Sequence, residues 1–300
     1  MRAKVGDSAP QGRRVRLATM LAEKVRPGRY LRLDYPTATN NSPRWGHGRP
    51  PHRLMADLLG RHDDRYAEEL SRLMEYREEL EAIPALSSDP LQPYWANGFT
   101  FGLDAPSLYS FLRRRNPESY VEIGSGFSTL FAHRARQDGD LRTRFTSIDP
   151  APRHAVDLIC DTRVRTGLQD ADQDLFSRLQ PGDVVFFDGT HRVFMNSDAT
   201  VFFLEILPRI PDGVLVGIHD VHLPDDYLPS QRDQYFSEQY LLAAYLLAEC
   251  GWMQPVLPCW YVQSQPRLGE TVAPLFSRAP LAGLDPAGRI FWLEISRGGA

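Results

Sequence analysis

The 300-residue chain has almost no lysine: Lys4 and Lys24 are the only two, and every other basic side chain is arginine. From residue 25 onward no side-chain amine exists. That part of the chain therefore cannot supply a Schiff-base lysine, a lysine general base or the phosphate-gripping lysine of a P-loop. Cysteine is scarce too. Cys160, Cys250 and Cys259 stand far apart with no Cys-x-x-Cys pair, so neither a disulfide framework nor a thiolate zinc site is expected, and a reducing, cytoplasmic setting fits. Long apolar runs are missing as well. Leu17–Ala22 is too short for a signal-peptide core, although Arg13-Arg14 precedes it, and no window approaches the ~20 apolar residues of a transmembrane helix, so no membrane partner is expected. Nor is there an excess of one charge. Lys and Arg number 34 against 38 Asp and Glu, a net of −4, which argues against a nucleic-acid partner gripped through its phosphates.

What is present is ordinary globular composition, 42% hydrophobic and 24% charged, at a length that suits one large α/β domain with an added segment. Three stretches are expected. Residues 1–29, with Arg13, Arg14, Arg16, Arg26 and Arg29 against few acids, read as a flexible basic leader. Residues 30–92 read as a helical extension that caps the site: an irregular Pro- and Gly-rich start, then an amphipathic helix pair over 53–83 broken near Gly60, with Tyr66, Leu70, Leu73, Met74 and Leu80 on one face. Residues 93–300 carry the main domain. A short helix is expected over Leu108–Arg115, capped by Asp104 or Ser107 and stopped by Asn116-Pro117.

After Pro117 the rhythm alternates. Apolar strands are expected at Tyr120–Ile123, Phe145–Ile148, Arg163–Thr166, Asp183–Phe187 and Gly213–Ile218. Helices are expected between them at Ser128–Ala135, Ala155–Cys160, Gln173–Leu179 and Asp198–Ile206, the last capped by Ser197 with Asp198 as dipole partner. This spacing means right-handed parallel crossovers and a doubly wound sheet. Beyond it come an apolar helix at Glu238–Glu249 and two β-rich runs, Pro255–Val262 and Arg289–Ile295. The Pro- and Gly-rich stretch 263–288 between them reads as a loop joining antiparallel strands.

The sharpest local feature is Val121-Glu122-Ile123-Gly124-Ser125-Gly126-Phe127-Ser128-Thr129, a strand entering a glycine turn and then a helix. Glycines let the backbone turn tightly and come close to a ligand, and in a doubly wound sheet such a turn lies at the carboxyl edge where ligands bind. A dinucleotide fingerprint wants a third small residue where Thr129 stands. Glu122, two residues before Gly124, suits instead a cofactor carrying positive charge and no phosphate; S-adenosylmethionine is one. Asp149 closes the second strand 25 residues after Gly124, placed to accept both ribose hydroxyls; the bland alternative makes it a cap before Pro150. Gln169 and Asp170 follow the third strand, where they could reach the adenine edge or simply form a solvated loop.

These residues carry a resemblance. Glu122-Ile123-Gly124-Ser125-Gly126, the Asp149 strand end and the late antiparallel pair resemble a class I S-adenosylmethionine-dependent methyltransferase. Phe187-Asp188-Gly189-Thr190-His191, then Leu204–Pro208, then Gly217-Ile218-His219-Asp220, is similar to a bacterial subgroup of small-molecule methyltransferases with Asp-Gly-x-His after the fourth strand and His-Asp after the fifth. The likeness runs from about Pro93 to Tyr261, and Arg44-Trp45-Gly46 and Pro50-Pro51-His52 fit it as well. It implies a Rossmann-like sheet of seven strands with the last antiparallel, the cofactor over the first two strand ends, with Glu122, Gly124, Ser125, Gly126, Asp149, Gln169, Asp170 and Asp188 around it, and the substrate over strands four and five. The third glycine often found in the first motif is Ser128 here.

Asp188, His191, His219 and Asp220 converge at neighbouring strand ends and are the expected catalytic group. A histidine, His219 first and His191 second, would act as general base on an attacking hydroxyl of a sugar or other natural product. Alternatively Asp188 and Asp220 would hold Mg²⁺ to acidify it. An aromatic rim is expected from Trp95, Phe99, Phe101 and Tyr109 before the sheet and from His222, Tyr227, Tyr235 and Tyr240 after the fifth strand. The rivals are an NAD-dependent oxidoreductase, a non-catalytic cofactor-binding module, and metal-assisted hydrolytic or oxidative chemistry. Oligomeric state is open, with a homo-oligomer one option.

Overall fold

The computed structural model describes residues 42–298, together with Leu21 and Lys24. The expected basic leader, 1–29, and the first part of the expected extension lie outside the described residues, apart from those two positions. The chain divides into two compact units, Met1–Ser42 and Pro43–Ala300. The second holds the sheet.

Seven strands form one sheet in the order β3-β2-β1-β4-β5-β7-β6: β1 Ser119–Ile123, β2 Arg144–Ile148, β3 Thr162–Val164, β4 Val184–Phe187, β5 Leu215–Ile218, β6 Met253–Pro258 and β7 Phe291–Ile295. The first five run parallel, and β7 slots antiparallel between β5 and β6. The expected α/β architecture with its antiparallel last strand is therefore present. The register decides where the strands end. Ile123 pairs with Ile148 and Phe187, and Phe187 pairs with Ile218, so the residues after these strands leave the sheet at one level.

The helices are α1 Arg53–Gly60, α2 Asp63–Met74, α3 Arg77–Glu81, α4 Asp104–Arg115, α5 Phe127–Asp138, α6 Asp174–Ser177, α7 Asp198–Val201, α8 Glu238–Leu247, α9 Cys259–Ser264 and α10 Pro266–Phe276. α1 breaks at Gly60 as expected, and the apolar stripe Tyr66, Leu70, Leu73 and Leu80 is fully buried. It packs toward β6 and α10, however, and Tyr261 donates to Asp63 at 3.0 Å. These helices lie within the Pro43–Ala300 unit. Segment 44–52 braces the loop after β5: the Arg44 amide donates to Asp226 at 2.6 Å and the His52 amide to the Pro224 carbonyl at 2.9 Å.

Several elements differ from expectation for identifiable reasons. α4 starts at Asp104, not Leu108, and Asn116 ends it in the left-handed region at φ 43°. The expected helix over Ala155–Cys160 is a single 3₁₀ turn, Val156–Leu158, and that over Gln173–Leu179 shrinks to α6. α7 loosens into a π turn at Phe202–Ile206 and a 3₁₀ turn at Leu207–Arg209, because Pro208 has no amide to continue the ladder. The strand expected over Pro255–Val262 stops at Pro258 and becomes α9. The expected loop holds α10, whose Pro266 sits in the first turn where no amide partner is needed and whose Leu268, Val272 and Leu275 are buried. Among the described residues no helix is long and apolar enough to cross a membrane.

Candidate active site

The shared exit level of β1, β2, β4 and β5 opens into a cavity of about 1150 Å³. At its β1 corner Gly124 adopts φ 77°, and a Cβ there would run into the carbonyl oxygen of Asp188, so the turn requires glycine. Its amide donates to the Ile148 carbonyl at 3.0 Å. Gly126 faces open space, its nearest neighbour being the His154 ring at 3.8 Å from a built Cβ. Ser125 ties the turn to β2: its amide donates to Asp149 at 2.8 Å and its hydroxyl meets that of Ser147 at 2.7 Å. The other Asp149 oxygen accepts the Ala151 amide at 2.8 Å, so the carboxylate is held rigidly at the cavity wall with one protein bond per oxygen. Asp149 caps no helix: the next helical turn, Val156–Leu158, follows Ala155 with no side-chain cap, and the bond to Ala151 closes a local turn.

Two expected cofactor residues are not at the wall. Glu122 is buried behind the turn and does not line the cavity. Ser128 and Thr129, from the first turn of α5, each donate a hydroxyl to it at 2.5 Å. Burial pushes its carboxyl up to about 8, against the pull of those two bonds. Its observed contacts brace the start of α5. Asp170 is exposed and outside the cavity, whereas Gln169 lines it.

Asp188, His191, His219 and Asp220 do converge, across the ends of β4 and β5. Asp188 Oδ1 lies 3.3 Å from His191 Nε2 and 3.2 Å from His219 Nδ1, and Asp220 Oδ2 lies 3.6 Å from His191 Nε2. Ser197 caps α7 by accepting the Thr200 amide. Asp198 accepts the amide and hydroxyl of Thr190 at 2.7 and 2.6 Å, clamping the loop between Asp188 and His191. Three residues not anticipated from sequence complete the group. Glu238, opening α8, lies 2.5 Å from His191 Nδ1; Asp104, opening α4, lies 3.5 Å from His219 Nε2; Arg289, just before β7, lies 3.5 Å from Asp220. First-turn acids are common helix-dipole partners, so nothing local in the sequence marks Asp104 or Glu238 out.

Burial alone would raise Asp188, but the charge of His219, with His191 beside it, holds it well below the ordinary carboxylate range; Asp220 is lowered against its burial by His219 and His191. Burial would lower the histidines, yet both are held above the ordinary imidazole range, His191 by Glu238 and Asp188, His219 by Asp188 and Asp220. Burial raises Glu238, opposed by His191.

The Mg²⁺ alternative gains no support from the geometry. The His191 ring stands between Asp188 and Asp220, and among the described residues no group of three or more His, Cys, Asp or Glu side chains could hold a metal ion. The aromatic rim is reassigned as well. Phe99 and Phe101 line the cavity, but Trp95 packs on Phe131 and Tyr109 donates to Asp138 at 2.7 Å. His222, Tyr227 and Tyr240 form a cluster away from the wall, burial pushing the His222 ring down to about 3. Tyr235 is outside the cavity too; the wall beyond β5 is made by Gln231, Gln234 and Phe236.

Residues 121–221, about a third of the chain, match a family model described as a methyltransferase domain. Among solved structures, the SAH-bound methyltransferase PaMTH1 from Podospora anserina is 14% identical, with 84% of this chain and 100% of that chain covered at a TM-score of 0.38. An O-methyltransferase from Bacillus cereus in complex with SAH is 16% identical, covering 76% of this chain and 90% of that one at 0.37. The plantazolicin methyltransferase BpumL in complex with SAH is 15% identical, covering 75% and 99% at 0.35. At such scores these likenesses are slight. No curated protein matches this chain in sequence.

Proposed function

We propose that the protein is an S-adenosylmethionine-dependent methyltransferase that methylates a hydroxyl of a small molecule, such as a sugar or natural product, with a histidine of the Asp188 cluster as base. The observation that carries this reading is the common exit level of four strands, which sets the glycine turn, Asp149 and the Asp188–His191–His219–Asp220 cluster around one cavity. The cavity is larger than many sites for a single drug-sized ligand and has room for a nucleoside cofactor and an acceptor together.

The residues fit the cofactor. Gly126 leaves the wall open, and Asp149 keeps acceptor capacity on both oxygens for a ribose diol. Gln169 is available to an adenine edge. When bound, the cofactor supplies an electrophilic methyl on a sulfonium. The chain's own residues then have two tasks: hold the acceptor hydroxyl beside Asp188, and take its proton. The carboxylates around them hold both histidines above the ordinary imidazole range. A positive charge entering the cavity lowers that proton affinity, so transfer is expected to rise with pH.

Calorimetric titration with S-adenosylhomocysteine tests the reading, with labelled methyl transfer to a panel of hydroxyl-bearing small molecules beside it. Asp149→Ala should weaken binding roughly tenfold to a hundredfold, the effect of losing hydrogen bonds to a charged group. Absence of binding to the wild-type chain would overturn it.

A further inference from the structure

The cluster contains two histidines, and their surroundings differ in one respect. The ring nitrogens of His219 are 3.2 and 3.5 Å from carboxylate oxygens, and neither makes an aligned hydrogen bond. His191 does: its Nδ1 lies 2.5 Å from Glu238 Oε1. We infer that Glu238 is a positioning residue that makes His191 the base, holding Nδ1 so that Nε2 faces the acceptor. This rests on the methyl-transfer reading above and selects within it the histidine ranked second from sequence.

Four observations support the assignment. Glu238 is completely buried, and its second oxygen has no partner, so the pairing with His191 is what compensates the burial of a carboxylate. The two elements are pinned on either side of the pair: the Ser237 amide donates to the His191 carbonyl at 2.8 Å, and the Val193 amide to the Ser237 hydroxyl at 2.9 Å. The Phe236 ring lies 4.6 Å from the imidazole and limits its rotation. Finally, a histidine whose Nδ1–H is given to a carboxylate presents its lone pair on Nε2, the arrangement a general base needs. His191 Nε2 lies 3.3 Å from Asp188 and 3.6 Å from Asp220, so a proton taken there is received between two carboxylates.

In the transfer step the acceptor oxygen forms the new bond to the methyl carbon, and the carbon–sulfur bond breaks with its electron pair staying on sulfur. The hydroxyl proton passes to His191 Nε2. The resulting imidazolium is met by Glu238 from α8 and by Asp188 and Asp220 from the strand ends. Arg289 balances Asp220, and His219 shares Asp188.

The test is a pH titration of the full chain labelled with ¹⁵N-histidine, followed by long-range ¹H–¹⁵N NMR with S-adenosylhomocysteine present; His191→Asn assigns the signal. In the wild type the neutral His191 ring should be the Nδ1–H form. Glu238→Gln should lower its pKa by about one to three units, as expected when an opposite charge at contact distance is removed, and release the other tautomer. With any acceptor the wild type methylates, the same variant should lower kcat at least tenfold and shift the acid limb of the profile, while S-adenosylhomocysteine affinity stays within about threefold. A merely structural Glu238 would leave the limb in place. An Nε2–H tautomer in the wild type overturns the assignment without any variant, as does an unmoved titration in Glu238→Gln that still binds S-adenosylhomocysteine. Failure of the wild type to bind it overturns the methyl-transfer reading itself, and the assignment with it.

Discussion

Glu122 lies inside the sheet with its carboxyl group bonded to the hydroxyls of Ser128 and Thr129, and burial raises its pKa from 4.5 to about 8. Below pH 4.5 the group is protonated in both the folded and unfolded chain. Between 4.5 and about 8 only the folded chain holds the proton, and above that the folded chain must carry a buried charge. The contribution of this group to stability is thus greatest in acid and is lost as pH rises through that window. At about 1.4 kcal/mol per pKa unit the loss over the interval comes to about 5 kcal/mol, a large fraction of a typical domain's stability. Glu122→Gln does not ionise, and it keeps both bonds because the hydroxyls can rotate to donate to the amide oxygen or accept from its nitrogen. Urea unfolding of both proteins, measured at intervals from about pH 5 to pH 9, should show the variant gaining on the wild type by several kcal/mol as pH rises, with equal m-values. Every other titratable group is present in both chains, so its contribution cancels in the difference. Parallel stability curves would mean that Glu122 is charged throughout and would refute the reasoning.

Two other changes probe the site's frame. Gly124→Ala forces a side chain into the left-handed region and against the Asp188 carbonyl, so it should remove at least about 2 kcal/mol of stability; an unchanged thermal midpoint would contradict this. Asp198→Ala deletes both bonds to Thr190, and the freed loop should lower kcat about tenfold while calorimetry finds S-adenosylhomocysteine affinity little altered, a split that a role in cofactor binding would not produce.

The parallel part of the fold was legible because β1, β2, β4 and β5 are short buried runs followed by Gly124, Asp149, Asp188 and His219, and the register then fixes where those ends meet. Gly124, Asp149, Asp188 and His219 could be placed at one edge on that basis alone. Glu122 misled because an acid beside a glycine turn reads as a ligand for a cation. Side chains alternate along a strand, and this one points at the start of α5. The helix α10 was hidden by its glycine and prolines, two of which lie within its own span, while its buried spacing of three and four residues was the better signal. Asp104, Glu238 and Arg289 come from elements far apart in sequence and meet only through packing, so no local pattern could have joined them.

The cluster also depends on a break in strand geometry. His219 and Asp220 are consecutive, and in a continuing strand their side chains would point to opposite faces of the sheet. Both nevertheless reach the same group of residues: His219 Nδ1 is 3.2 Å from Asp188 and Asp220 Oδ2 is 3.6 Å from His191. The backbone makes this possible by turning left-handed at Asp220, φ 55°, as it does again at His191, φ 63°. Each such turn costs roughly 1–2 kcal/mol in a residue with a Cβ, and glycine would adopt it without strain. At Asp220 and His191 the turned residue carries a side chain of the cluster, and such strain persists only where the surrounding structure fixes it, here beside the fully buried strands β4 and β5.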